Sequence, residues 1–160
     1  MEQIVVTGGR RLHGSVEVCG AKNAVLPILA ASLLTEEPVE VRNVPDLADV
    51  TTMTRILAEL GADVTHDTEA RSVRVEARAI EPVAPWELVR KLRASFEVLG
   101  PLLGRFGRAE VSYPGGCVFG VRPVDVHLKG FEGLGATVET EAGYVRTTAR
   151  GDRLRGGDVF

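Results

Sequence analysis

The sequence predicts an α/β fold assembled from a repeated unit, and three observations predict it. Val39-Glu40-Val41 is answered by Ala109-Glu110-Val111, and the apolar stretch Leu26 to Leu34 by Phe96 to Gly104, both seventy positions further on. Leu60-Gly61-Ala62-Asp63-Val64 is answered by Leu134-Gly135-Ala136-Thr137-Val138 seventy-four positions on, so the second copy holds four more residues. Each copy alternates helical and β-rich patterning, which is the mark of a mixed α/β unit.

Residues 1–20 read as leading strands, with Arg11 to Val18 running into the first helix. The first copy, residues 21–78, opens with a helix from Lys22 to Leu34 that carries an internal proline. A strand follows at Val39 to Val41. The helix Leu47 to Leu60 has apolar residues at helical spacing, and Gly61 supplies its stop. Strands near Asp63 to His66 and Val73 to Ala77 complete the copy.

The second copy, residues 86–149, has a helix from Trp86 to Leu103 and a strand at Ala109 to Ser112. A helix Val124 to Leu134 is stopped by Gly135, and strands at Thr137 to Thr140 and Tyr144 to Thr148 follow. Arg153 to Phe160 resembles Arg11 to Val18, so a third copy begins and stops within its opening strand. A strand left without a neighbour exposes its backbone groups, so the chain is expected to be a piece of a longer protein. The face meant for the next copy would leave apolar surface bare, favouring marginal stability or self-association.

Composition narrows the function. With 44% hydrophobic and 26% charged residues, the 160-residue chain can bury an ordinary core. A net charge of -3 gives no basic field for nucleic acid. No apolar run is long enough for a membrane span, and Met1-Glu2-Gln3 does not begin a secretory signal, so a cytoplasmic protein is expected. Cys19 and Cys117 match no metal or redox spacing and read as free thiols.

Chemistry concentrates at the helix starts and in the insertion. Gly20-Ala21-Lys22-Asn23-Ala24 hands a strand over to a helix, placing Lys22 beside free backbone donors and the positive end of the helix dipole. That suits a phosphate or carboxylate, although a solvated first-turn lysine has the same pattern. In the second copy Leu92-Arg93-Ala94 takes this place, so each copy presents a cation. The two cations face one cleft if the units pack with pseudo-symmetry; Arg90, Lys91 and Arg93 read equally well as an exposed basic face.

The extra residues fall around Pro114-Gly115-Gly116-Cys117, in a segment that runs on to Arg122 and Pro123. Its glycines permit hinge motion over a substrate, and neighbouring cations favour the thiolate of Cys117. To act as an acid, the thiol needs a bound anion to offset those cations. An inert buried cysteine is the alternative, though a glycine-rich loop is a poor place to bury one. Cys19, beside Val16 and Val18, reads as a packed small hydrophobe. His13 and His66 read as surface or structural residues. Asp125 either caps the following helix or, with His127, faces the loop.

Gly20-Ala21-Lys22-Asn23-Ala24-Val25-Leu26-Pro27, Leu92-Arg93-Ala94-Ser95, Pro114-Gly115-Gly116-Cys117 and Arg122-Pro123-Val124-Asp125 together resemble the UDP-N-acetylglucosamine enolpyruvyl transferases. The resemblance runs along essentially the whole chain. It implies an inside-out α/β barrel, helices inside and sheets outside, in two lobes around a cleft. This chain holds units of one lobe, and its first twenty residues would pack on the other.

The reaction implied adds a sugar 3-hydroxyl to C2 of phosphoenolpyruvate, protonates C3 and expels phosphate, as the first committed step of peptidoglycan synthesis. Metal and redox cofactors have no part in it. By position, the resemblance makes Cys117 the acid, with Lys22 and Asn23 binding phosphoenolpyruvate. Arg93, Arg122, Pro123, Val124, Asp125 and Val126 would bind UDP-N-acetylglucosamine, with His127 a possible addition. Glu97 departs from the pattern, standing where some relatives have a tryptophan beside the sugar nucleotide. The second lobe with its general base is not in the chain, so residues 1–160 alone are expected to be inactive. The rivals are the sister transferase of the shikimate pathway, which lacks the Pro-Gly-Gly-Cys arrangement, and a non-catalytic sugar-nucleotide-binding paralogue.

Overall fold

Alternation along the strands sets which side of each sheet the helices cover. The computed structural model describes residues 3–84, 86–89, 92–113, 124–151 and 153–157. In the first unit, β1 (Val39–Arg42), β2 (Asp63–Asp67) and β3 (Ser72–Glu76) form an antiparallel sheet in the order β1-β3-β2. Val39 pairs with Val75, Val41 with Val73 and Val64 with Val75, so these valines share the inner face. Arg42 and Arg74 stand on the exposed face.

Two helices cover the inner face. In α1 (Lys22–Ala31), Val25, Leu26, Leu29 and Ala30 are buried, the stripe expected at helical spacing. The last turn tightens into a 3-10 segment, Ser32–Leu34, where the Ser32 hydroxyl donates to the Leu29 carbonyl at 2.6 Å. In α2 (Ala48–Glu59), Val50, Met53, Ile56 and Leu57 are buried. Gly61 follows with φ +102°, and a Cβ there would overlap the Ala79 carbonyl, so only glycine makes this turn.

The second unit repeats the plan. β4 (Arg108–Ser112), β5 (Ala136–Glu141) and β6 (Tyr144–Ala149) form an antiparallel sheet in the order β4-β6-β5. On its outer side Arg146 bridges Glu110 at 2.8 Å and Glu141 at 3.0 Å.

The single helix expected over Trp86 to Leu103 is three pieces: α3 (Trp86–Val89), a 3-10 segment Arg93–Val98 and α4 (Leu99–Phe106). Leu92 is extended at φ −133°, ψ 120°. The buried Ser95 hydroxyl reaches the carbonyls of Val89, at 2.8 Å, and Leu92, competing with helical bonding there. Pro101 is the third residue of α4, close to where the chain passes from the 3-10 segment into the α-helix. α5 (Asp125–Gly133) buries none of its residues.

One core spans both units. α1 packs on the 3-10 segment of the second unit, and α4 packs on the 3-10 segment that ends α1. Arg105 of α4, 13% exposed, pins the junction: its Nη1 donates to the carbonyls of Ala77 at 2.7 Å, Leu33 at 2.9 Å and Thr35 at 3.3 Å, while Nη2 meets Glu36 at 3.1 Å. Its guanidinium also lies 4.8 Å from the Phe106 ring centroid.

Residues 3–20 form no strand, and Ile4, Val5, Val6, Leu12, Val16 and Val18 are exposed. Strands need partners, and among the described residues the segment 3–20 joins neither sheet, although Glu17 meets Arg71 at 3.3 Å. Cys19, expected to be packed, is exposed for the same reason. Among the described residues, no helix is long and apolar enough to cross a membrane.

Candidate functional site

The site begins where the backbone enters α1. A Cβ on Gly20 would overlap the Asn43 carbonyl, so glycine lets the entering chain lie directly against the loop after β1. Ala21 then takes an extended conformation and contributes no side-chain cap, which leaves the amide groups of Lys22 and Asn23 at the open end of the helix. Pro27, lacking an amide hydrogen, cannot donate to the Asn23 carbonyl one turn back. Lys22 and Asn23 are both exposed.

Lys22 is not a lone cation. Its Nζ lies 2.8 Å from Oδ2 of Asp49, in the first turn of α2, which packs against α1. The pair is half-exposed, so its Coulomb energy is modest. Its effect on geometry is larger: an ammonium has three donors, and committing one to Asp49 restrains a flexible side chain while two remain for a ligand. Asp49 was missed in the sequence, although an acidic residue opens the second helix of each copy, Asp49 in one and Asp125 in the other.

The second unit assembles a different group. Arg93 opens the 3-10 segment and is exposed, and Glu97 lies one turn further along. The exposed His127, in the first turn of α5, stands edge-on to Phe96 with ring centroids 6.2 Å apart. Burial pushes the Glu97 carboxyl above its usual range, opposed by the charges of His127 and Arg93. Its Oε2 is enclosed and has no hydrogen-bond partner among the described residues. Desolvation therefore outweighs the opposing interactions of His127 and Arg93 at this carboxyl.

The structure thus pairs Lys22 with Asp49, and places Arg93 and His127 near enough to Glu97 to act on its charge. Asp125 is the first residue of α5 rather than its cap; that position belongs to the buried Val124, while Val126 is 72% exposed. Cys117, Arg122 and Pro123 lie outside the described residues. Ser112, at the end of β4 just before that segment, has a buried hydroxyl with no partner among the described residues.

Two comparisons bear on this arrangement. The pattern of the EPSP synthase (3-phosphoshikimate 1-carboxyvinyltransferase) family matches residues 6–160. The fold is also similar to the enolpyruvyl transferase NikO from Streptomyces tendae, with a TM-score of 0.74 and 29% identity over 92% of this chain. The match covers 32% of the NikO chain, so this chain spans about a third of that relative. The α/β architecture is that of the enolpyruvyl transferases, an incomplete part of their inside-out barrel.

Proposed function

Since the chain belongs to the EPSP synthase family, we propose that it is part of an enolpyruvyl transferase whose acceptor is UDP-N-acetylglucosamine. The observation that carries the choice of acceptor is the Pro114-Gly115-Gly116-Cys117 segment, inserted in the second copy of the repeat. In this reading residues 21–160 are units of one lobe, and the leading residues pack on another lobe that supplies the general base.

The chemistry divides between the two units. Lys22, restrained by Asp49 at 2.8 Å, and Asn23 hold the phosphate of phosphoenolpyruvate at the open end of α1. Arg93, Arg122, Pro123, Val124, Asp125 and Val126 line the acceptor site, beside His127. The acceptor 3-hydroxyl oxygen bonds to C2 while its proton passes to the base of the other lobe, and the Cys117 thiol delivers a proton to C3. Loss of that C3 proton and of phosphate restores the double bond. Fixed cations that meet the charge of the phosphate-bearing group favour these steps.

A second reading has one observation in its favour: the matching family pattern is described as 3-phosphoshikimate 1-carboxyvinyltransferase, the sister activity. Fosfomycin separates the two. In the complete protein, mass spectrometry should find one fosfomycin adduct on Cys117, lost in Cys117→Asp. An unmodified Cys117 after prolonged exposure would turn the choice toward the sister enzyme.

A further inference from the structure

We propose that the connection between β1 and α2, residues 43–47, positions the phosphate anchor, fixing the backbone of Lys22 from one of its ends and the side chain of Lys22 from the other. The proposal rests on the reading that Lys22 holds the phosphate of phosphoenolpyruvate. It deepens that reading by naming Asn43 and Gly20 as positioning residues for Lys22.

The connection is itself firmly held. Asn43 opens it in the left-handed region at φ +57°, a conformation that asparagine tolerates better than most residues with a Cβ. Val44 and Pro45 follow and are buried, and the Val44 amide donates to the Arg71 carbonyl at 2.8 Å. Arg71, in the turn between β2 and β3, also meets Glu17 at 3.3 Å through its side chain. Two neighbouring turns of the first unit therefore grip the chain just before α1, one at Glu17 and the other at Gly20.

From this grip the geometry reaches Lys22 by two routes. On the backbone route, the Asn43 carbonyl lies so close to Gly20 that a Cβ there would overlap it, with Cδ of Pro45 3.5 Å from the same Cβ position. Two residues on, Lys22 begins α1. On the side-chain route, the connection ends at Leu47, whose carbonyl accepts from the amides of Val50 at 3.0 Å and Thr51 at 3.2 Å as α2 starts. Asp49, in that first turn, holds Nζ of Lys22 at 2.8 Å. One short piece of chain thus locates the ammonium relative to the open end of α1, and small misplacements of a binding group are costly to catalysis. The corresponding connection of the second unit, residues 113–124, holds the inserted segment, so the short connection falls to the unit that carries Lys22.

The test uses the complete enzyme and its Michaelis constants for phosphoenolpyruvate and for the acceptor it turns over. Asn43→Val disfavours positive φ, and Gly20→Ala pushes the chain off the Asn43 carbonyl. Each should raise the phosphoenolpyruvate KM about tenfold, with the acceptor KM changing less than about twofold. Asn43→Gly accepts the same φ and should stay within about twofold of wild type. A phosphoenolpyruvate KM that rises less than about threefold in either variant, an equal rise in the acceptor KM, or an Asn43→Gly as impaired as Asn43→Val overturns the proposal. If Asn43→Val or Gly20→Ala does not fold, Asn43→Ala is read against the same thresholds. Lys22→Gln is measured alongside: wild-type kinetics there would sink the reading of Lys22 and the proposal with it, whereas a loss there beside an intact Asn43→Val sinks the proposal alone.

Discussion

The two units share a sheet order and differ in how they use charge. In the first, Lys22 and Asp49 close on each other at 2.8 Å across two helix starts. In the second, Arg93, Glu97 and His127 stand near one another while an enclosed carboxylate oxygen has no partner among the described residues. A repeated scaffold thus carries one self-satisfied pair and one carboxylate oxygen that, among the described residues, has no donor. Under the proposed function, the first arrangement would anchor a phosphate and the second would lie at the acceptor.

The largest effect should come from breaking the anchor. In the complete enzyme, Lys22→Gln should lower kcat/KM by about 10²–10³-fold, the range for removing one preorganised stabilising group. Its partner should matter less: Asp49→Asn should raise the phosphoenolpyruvate KM by no more than about fivefold, because a half-exposed pair is worth only about 0.2–1 kcal/mol. Steady-state kinetics checks both, and equal effects would mean that Asp49 does more than restrain Lys22.

The joint between the units comes next. Arg105→Ala removes a mostly buried guanidinium from the carbonyls of Leu33, Thr35 and Ala77 and should cost about 2–3 kcal/mol of unfolding free energy. Arg146→Ala, on the outer sheet face, should cost less than about 1 kcal/mol despite its two ion pairs. Urea unfolding of the two variants side by side measures the difference, and equal losses would show that the units are not pinned at Arg105.

The smallest effect concerns pH. Burial raises the Glu97 pKa above its ordinary 4.5, so the folded state holds this proton more tightly than the unfolded one. The associated stability is fully present below 4.5 and declines as pH rises through the raised value. Relative to wild type, Glu97→Gln should therefore gain stability as pH rises through that window and stay level above it. Thermal midpoints of the two proteins across a pH series follow the gap, and a constant gap would show that Glu97 is not desolvated.

Much of this architecture was legible because repetition amplifies weak signals. Gly61 and Gly135 each follow a periodic apolar helix, and the structure gives both positive φ. The valines of β1 and β3 alternate cleanly, so their registers follow from one buried face. The break after α3 was not legible, because it depends on a Ser95 hydroxyl taking carbonyls at Val89 and Leu92, a choice made only once Ser95 is buried. Residues 1–20 read as leading strands that pack on the other lobe, and residues 3–20 form no strand among the described residues, where that neighbour is not in the chain.

The candidate site divides the same way. The cations Lys22 and Arg93 stood out because the repeat sets them at equivalent helix starts. Asp49 did not, since its meaning comes from the packing of α1 on α2. Glu97 was visible only as a departure from a family pattern, and its enclosed oxygen is a property of the fold.

The choice of acceptor meets its most direct test in phosphate release by the complete protein, supplied with phosphoenolpyruvate and either UDP-N-acetylglucosamine or shikimate 3-phosphate. The proposal predicts phosphate release, with a matching enolpyruvyl product, from UDP-N-acetylglucosamine alone. Turnover of shikimate 3-phosphate with none of the sugar nucleotide would contradict it.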